Sequence, residues 1–459
     1  MLRRLLWPSV IVLLVAILLH PLAVTAQPVS SAYPLGTRLQ LFVDDHLIDS
    51  MQGMRLKLHE PVLAAPLTGD VDSIEYGTVI LDGDTYRLYT RARHESKKDG
   101  DGGEYTRYFE SADGKHWVAP ELGLIDVAGT TWTNVVLHDP PYGHNFSPML
   151  DTRPEVPADE RFKALGGEHA TGLAAFASAD GIHWRKLSPE PMVASEVPWE
   201  SRKLYDSQNV SFWSEAEGQY VCYFRTWFEG LRRIARMTST DYRTWGDWKL
   251  MDVNADGEHL YTSQAHPYFR APHIYIGLPT RFYPDRGSST DILFMSTRGD
   301  APFSRPFHEA FIRPGLDPAR WGNRSNYAAQ NVVPTGPAEM SIYTTPFRRF
   351  ALRTDGFVSV HAGAEAGKMT THPVVFSGKK LVVNFATSAG GSLRVALLDS
   401  AGVAIPGYGL DSCDRLVGDG ISHAVTWGQQ SDIGAMAETP VRIRFELVDG
   451  DLYSIQFAE

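Results

Sequence analysis

Three copies of one short stretch decide how this chain folds: Ser111-Ala-Asp-Gly-Lys-His-Trp117, Ser178-Ala-Asp-Gly-Ile-His-Trp184 and Ser239-Thr-Asp-Tyr-Arg-Thr-Trp245. Weaker copies follow at Ser296-Thr-Arg-Gly299, closing on Phe303, and at Arg353-Thr-Asp-Gly-Phe357; successive copies start 67, 61, 57 and 57 residues apart. Each copy sits between runs rich in Tyr, Phe, Val and Ile, such as Tyr86–Thr90 and Tyr220–Trp227, and no segment shows a sustained helical period. A fixed period without helices means one all-β unit repeated, and about sixty residues suit a four-stranded blade with long loops. Five copies between about residues 40 and 360 predict a five-bladed β-propeller. Within the copies, Asp113, Asp180 and Asp241 are read as turn-capping residues rather than chemical groups.

Beyond residue 360 the repeat stops. Short strands with glycine-rich turns at Lys380–Phe385, Leu393–Leu398, Val441–Leu447 and Leu452–Phe457 predict a C-terminal β-sandwich over 361–459. Two domains agree with 459 residues, too many for one hydrophobic core. The 40 glycines, 29 prolines and the aromatic load of 11 Trp, 19 Tyr and 21 Phe favour the same all-β class.

Arg3 and Arg4, the apolar run Leu5–Leu19 and the small-residue site ending at Ala26 have the order of a cleavable secretory signal over 1–26. The propeller then occupies 27–360, and a secreted or periplasmic protein without stable membrane insertion is expected. A net charge of −11 repels phosphate backbones, which argues against a nucleic-acid partner. Cys222 and Cys413 fall one in each domain; an oxidising compartment permits a bridge, and two buried thiols are the commoner outcome.

In a propeller the first strands of the blades converge on an axial funnel, so residues that open them gather from distant segments. Here those openings read Glu75-Tyr-Gly77, His144-Asn145, Asp206-Ser-Gln-Asn209, Thr262-Ser-Gln264 and Ala329-Gln-Asn331. Amides and an imidazole in that position suit hydrogen bonding to sugar hydroxyls, which makes His144, Asn145, Gln208, Asn209 and Gln264 candidate substrate contacts. A self-satisfied ring of amides is the alternative. Arg225 adds a guanidinium fork, and a neutral carbohydrate fits the charge balance.

Glycosidic hydrolysis requires two carboxyl groups, one as acid and one as nucleophile or base. The acids near the funnel are Glu75, Asp151, Asp206, Glu258 and Glu339, with the doublet Asp44 and Asp45 in the first strand. Asp206 ranks first because it opens an inner strand before the Gln-Asn pair, and Glu339 second because it precedes the strand Met340–Tyr343; Asp45, Asp151 and Glu258 fill supporting positions. No metal set and no cofactor are expected, an axial structural calcium alone being compatible with the architecture.

The segments Leu41-Phe-Val-Asp-Asp45, His144-Asn-Phe-Ser-Pro148 with Asp151, Arg161-Phe-Lys-Ala164, Asp206-Ser-Gln-Asn209, Glu258-His-Leu-Tyr-Thr262 and Arg353-Thr-Asp-Gly-Phe357 resemble a group of secreted bacterial proteins associated with the N-terminal propeller of glycoside hydrolase family 32. That resemblance implies a five-bladed glycosidase with a carboxylate nucleophile or base, a second acidic residue and a Glu acid in the funnel. The Asn-Asp-Pro-Asn-Gly, Arg-Asp-Pro and Glu-Cys motifs of the fructan-cleaving enzymes are absent, so fructan cleavage is not implied. The alternatives to a hydrolase are a non-catalytic carbohydrate-binding propeller and a surface interaction protein.

Overall fold

The computed structural model describes residues 32–322 and 325–459. The signal sequence expected over 1–26 lies outside them. The described residues are all-β: strands are joined by loops and by three single-turn 3₁₀ helices, and no helix among them is long and apolar enough to cross a membrane.

Five antiparallel sheets account for the repeat. The first three pair the strands 78–82, 85–93, 104–111 and 135–137; then 147–150, 162–168, 172–178 and 185–186; then 210–214, 219–228, 231–239 and 246–250. The fourth pairs 266–268, 271–277 and 295–298, with Ser304 bridging to Ser296 at its edge. The fifth pairs 333–336, 339–344 and 348–353, and its outermost strand is Val62–Leu63, from the far end of the chain. The first strands of the first four sheets touch one another in chain order, His266 of the fourth accepts the Val332 amide just before the fifth, and 333–336 returns to 78–82. A parallel bridge from Thr78 to Gln330 fixes that last contact.

The recurring Ser-x-Asp turns are built as their chemistry requires. Asp113 accepts the amides of Lys115 and His116 at 2.7 and 2.9 Å, Asp180 those of Ile182 and His183, and Asp241 those of Arg243 and Thr244. Gly114 and Gly181 take φ of 70° and 77°, a left-handed step that a side chain makes costly. Tyr242 makes the same step at 64° and is held by Ser211. The turns also lock adjacent sheets: Tyr343 of the fifth sheet donates to Gly114 O at 2.6 Å, and Tyr89 of the first donates to Gly181 O at 2.9 Å. The tryptophans that close the turns pack on these same tyrosines, Trp117 on Tyr343 and Trp184 on Tyr89, so they wedge between sheets.

An eight-stranded sheet holds the C-terminal segment, including the long strands 380–398 and 442–458. It also takes in N-terminal strands: 48–52 pairs with 367–371, and 54–58 with 358–362. The segment Leu41-Phe-Val-Asp-Asp45 stitches the two bodies together by simple alternation. Phe42 joins the core of the C-terminal sheet, while Leu41 and Val43 join the core of the fourth and fifth sheets. Cys222 and Cys413 are both buried and unbridged.

Candidate active site

The chain enters four of the five first strands through a non-glycine residue with positive φ two positions earlier: Tyr76, Asn145, Gln264 and Asn331, at 47°, 52°, 47° and 75°. Such residues cost about 1–3 kcal/mol each and persist only where surrounding contacts overdetermine them. The contacts here are polar. Asn331 and Gln264 donate to backbone carbonyls of neighbouring strands, and Asn145 accepts from Arg91 at 3.0 Å.

At this end of the sheets stands a group of alternating charges. Asp206 Oδ2 lies 2.5 Å from Arg225 Nη2, and Arg225 lies over the Tyr261 ring, 4.7 Å from its centroid. Arg91 pairs with Glu75, lies over Tyr76 and reaches His144 Nδ1 at 3.5 Å. Arg93 contacts both Asp99 and Glu104 at 2.8 Å. The His144 Nδ1 lies 2.7 Å from Glu104 Oε2, which orients the ring. Burial pushes the Glu104 carboxyl up, but the His144 hydrogen bond and Arg91 outweigh it and hold the group below the usual carboxylate range. Asp99 is held low in the same way, burial being overcome by Arg93, His144 and Arg91. One potential ligand atom each from Asp99, His144 and Asp206 lie within 4.8 Å of one another, the three described residues that could together hold a cation.

Of the amides expected to contact a sugar, only Asn145 adjoins this group, through Arg91, and it is as buried as the others and donates to Tyr205 O; His144 and Arg225 adjoin it too, both buried. Gln208, Asn209 and Gln264 are fully buried and bind the protein itself. Gln264 donates to Gln208 Oε1 and Ala328 O at 2.8 Å, Gln208 donates to Thr78 Oγ1 and Gly77 O, and Asn209 donates to Tyr205 O. They form a belt that ties the first strands together through their N–H groups, while the side-chain oxygens of Asn209 and Gln264 are buried without a partner. An amide whose N–H bonds are taken up by neighbouring backbone is a strut rather than a ligand contact.

Glu339 does not join Asp206. It opens the second strand of the fifth sheet, opposite Gly336 at the end of the first, whereas Asp206 precedes the beginning of a first strand. Arg349 holds it at 2.8 Å and Lys115, next to a Ser-x-Asp turn, lies 3.4 Å away. Asp151 follows the same rule at the far end of the strand that His144 precedes, buried between Lys163 and Tyr220 at 2.6 Å each. Glu258 is clamped by Arg305 at 2.8 Å and the Ala255 amide. Asp45 is an exposed turn residue of the stitching segment, and its neighbour Asp44 pairs with Arg298. For Glu339 and Asp151 the reason is direction: a first strand carries its opening residues to one end of the sheet and the next hairpin to the other.

The sequence reading passed over Arg91, Arg93, Asp99, Glu104, Arg232 and Tyr261. Arg91 and Arg93 share one face at the end of the strand Thr85–Arg93, where period-2 charges close an otherwise aromatic run, and that was a readable signal. Asp99 sits in the Lys-Lys-Asp-Gly-Asp-Gly-Gly stretch 97–103, whose composition reads as plain surface loop.

The arrangement brings two part-exposed carboxylates, Asp99 and Asp206, to within 4.8 Å, each paired with a guanidinium. No protein family matches the sequence, and no curated protein matches it. Similar solved structures include glycoside hydrolases of families 32, 43 and 117 and a β-1,2-mannobiose phosphorylase from Listeria innocua. One described only as a glycoside hydrolase is 14% identical at a TM-score of 0.44, over 64% of this chain and 92% of its own. A Bacillus subtilis family 43 arabinoxylan arabinofuranohydrolase, solved with cellotetraose, is 13% identical at 0.41, over 84% and 96%. The Bombyx mori family 32 β-fructofuranosidase is 10% identical at 0.41, over 87% and 94%.

Proposed function

We propose that this protein is a secreted glycoside hydrolase in which a five-bladed propeller, steadied by a C-terminal β-sandwich, holds a carboxylate pair at the mouth of its axis. The observation that carries the reading is the approach of Asp206 and Asp99, from loops more than a hundred residues apart, to within 4.8 Å. Glycosidic hydrolysis needs two carboxyl groups flanking the scissile bond, and these two acids stand at one end of the sheets. Asp206 and Asp99 replace the pair Asp206 and Glu339. Glu75, joined to the group through Arg91, is the third acid of the site. His144 and Asn145, with Arg91 on Tyr76 and Arg225 on Tyr261, would hold the two acids in place from below. The domain division that fits this reading puts residues 33–58 with the C-terminal body.

One observation favours the binding-module alternative: both acids face a guanidinium, Asp99 that of Arg93 and Asp206 that of Arg225. Reducing-end release from a panel of plant and algal polysaccharides separates the two. Release by the native protein that disappears in Asp206→Asn and in Asp99→Asn supports hydrolysis. Saccharide binding without release supports the module.

A further inference from the structure

Arg232 is the unusual arginine of the site. Its guanidinium lies 4.6 Å from the centroid of Trp227, 4.8 Å from Tyr261 and 4.5 Å from Phe282. Three π-faces stabilise a cation, but none accepts the in-plane N–H bonds of the fork. Its Nε is buried with no hydrogen-bond partner, as are those of Arg91, Arg93 and Arg225, but among the described residues this side chain alone of the four makes no ion pair. Burial and the charge of Arg225 both lower its pKa. Every other arginine of the group, Arg91, Arg93 and Arg225, has its acid.

The same residue forms a wall of a cavity of about 650 Å³, lined also by Arg202, Lys203 and Trp227. Two acids border it, Glu200 and Glu229, and each faces an arginine, Arg202 and Arg233. Lys203 has no such partner among the described residues. Through Tyr261, which lies under both Arg225 and Arg232, the cavity adjoins the Asp206 group. A donor fork without an acceptor, beside a lysine and at the edge of a pocket large enough for a sugar ring, calls for an oxyanion on the ligand.

We infer that the saccharide this site takes is acidic, and that the Arg232 fork and Lys203 bind the planar oxyanion of a uronic acid residue next to the ring held at Asp206. This rests on the carbohydrate reading above and narrows it. A sulfate half-ester is tetrahedral rather than planar but also offers charged oxygens to a guanidinium fork, so the probes must tell the two apart.

Calorimetric titration of the native protein with oligogalacturonides, their methyl esters, sulfated galactan oligosaccharides and neutral galacto-oligosaccharides of matched length provides the test. The acidic oligomers should bind at least roughly tenfold more tightly than the methyl esters, the usual scale of one charge-assisted fork. That preference should shrink with added salt, vanish in Arg232→Gln and return in part in Arg232→Lys. Stronger binding of the sulfated oligomers would overturn the uronate assignment. Equal binding of acids, esters and neutral sugars would overturn the inference while leaving a carbohydrate site standing, and no binding of any saccharide would overturn both. The ester comparison uses only the native protein, so it holds even if the Arg232 variants fail to fold.

Discussion

Arg225 reaches Asp206 at 2.5 Å while its guanidinium rests on the Tyr261 ring. The arginine is wholly buried in its side chain and the aspartate about one-third exposed, so the pair points a fixed carboxylate out of a rigid floor. Replacing Arg225 by Met keeps the packing on Tyr261 and removes the fork. Turnover is predicted to fall about 10²–10⁴-fold with KM little changed, because positioning of a reacting carboxyl acts in the transition state. Initial-rate kinetics on whichever polysaccharide the native protein cleaves will check this split.

The buried pair Lys163 and Asp151 carries stability and no chemistry. Both side chains are inaccessible, and Tyr220 completes the triad from the neighbouring sheet. Lys163→Met strands a buried carboxylate and should cost about 3–5 kcal/mol. The double replacement Lys163→Met with Asp151→Leu should recover much of that loss. Denaturant melts of the single and double variants measure the difference.

The glycine of a Ser-x-Asp turn and that of an ordinary hairpin differ in how much room they leave. A Cβ on Gly114 would stand 2.6 Å from Tyr343 Oη, whereas one on Gly218 would meet nothing within 4 Å. Both have positive φ, so both alanine variants pay the backbone term of about 1 kcal/mol. Only Gly114→Ala also disrupts the lock between the first and fifth sheets, and it should melt several degrees below Gly218→Ala in thermal scans.

His266 ties the amide belt together in its neutral form. Nδ1 faces Gln264 O at 2.9 Å, and Nε2 accepts the Val332 amide at 3.1 Å. Burial lowers its pKa from 6.5 to about 4, the Gln264 carbonyl opposing this only in part. Between those values the unfolded chain binds the extra proton and the folded one does not, so stability rises with pH. The contribution is complete above about pH 6.5 and is lost as pH falls toward 4. Urea midpoints measured across that interval should drop with acidity, and less steeply in His266→Gln.

The periodic turns made the five sheets legible, because Ser, Asp and Gly at fixed offsets each have a local backbone reason to be there. That His144, Asn145 and Asp206 stand at one end of the sheets was legible as well, since they open first strands, which run in one direction. Glu339 and Asp151 were misplaced for a topological reason. A sequence reading sees a carboxylate beside a strand but not which end of the sheet the hairpin returns it to. Gln208 and Gln264 were misread because a ligand contact and a strut between strands need the same residue types. Asp99 could not be found at all: its loop has the composition of surface, and only the tertiary fold brings it to Asp206. The strands 48–58 escaped for a similar reason, their partners lying about three hundred residues away or more.

The account places the chemistry at the end of the sheets where Asp206 lies and not at the end where Glu339 lies. Side-by-side reducing-end assays of Asp206→Asn and Glu339→Gln address that claim most directly. Asp206→Asn should lose about 10²–10⁴-fold in rate and Glu339→Gln should stay within about threefold of the native protein. A Glu339→Gln variant as inactive as Asp206→Asn, though equally well folded, or full activity in Asp206→Asn, would contradict it.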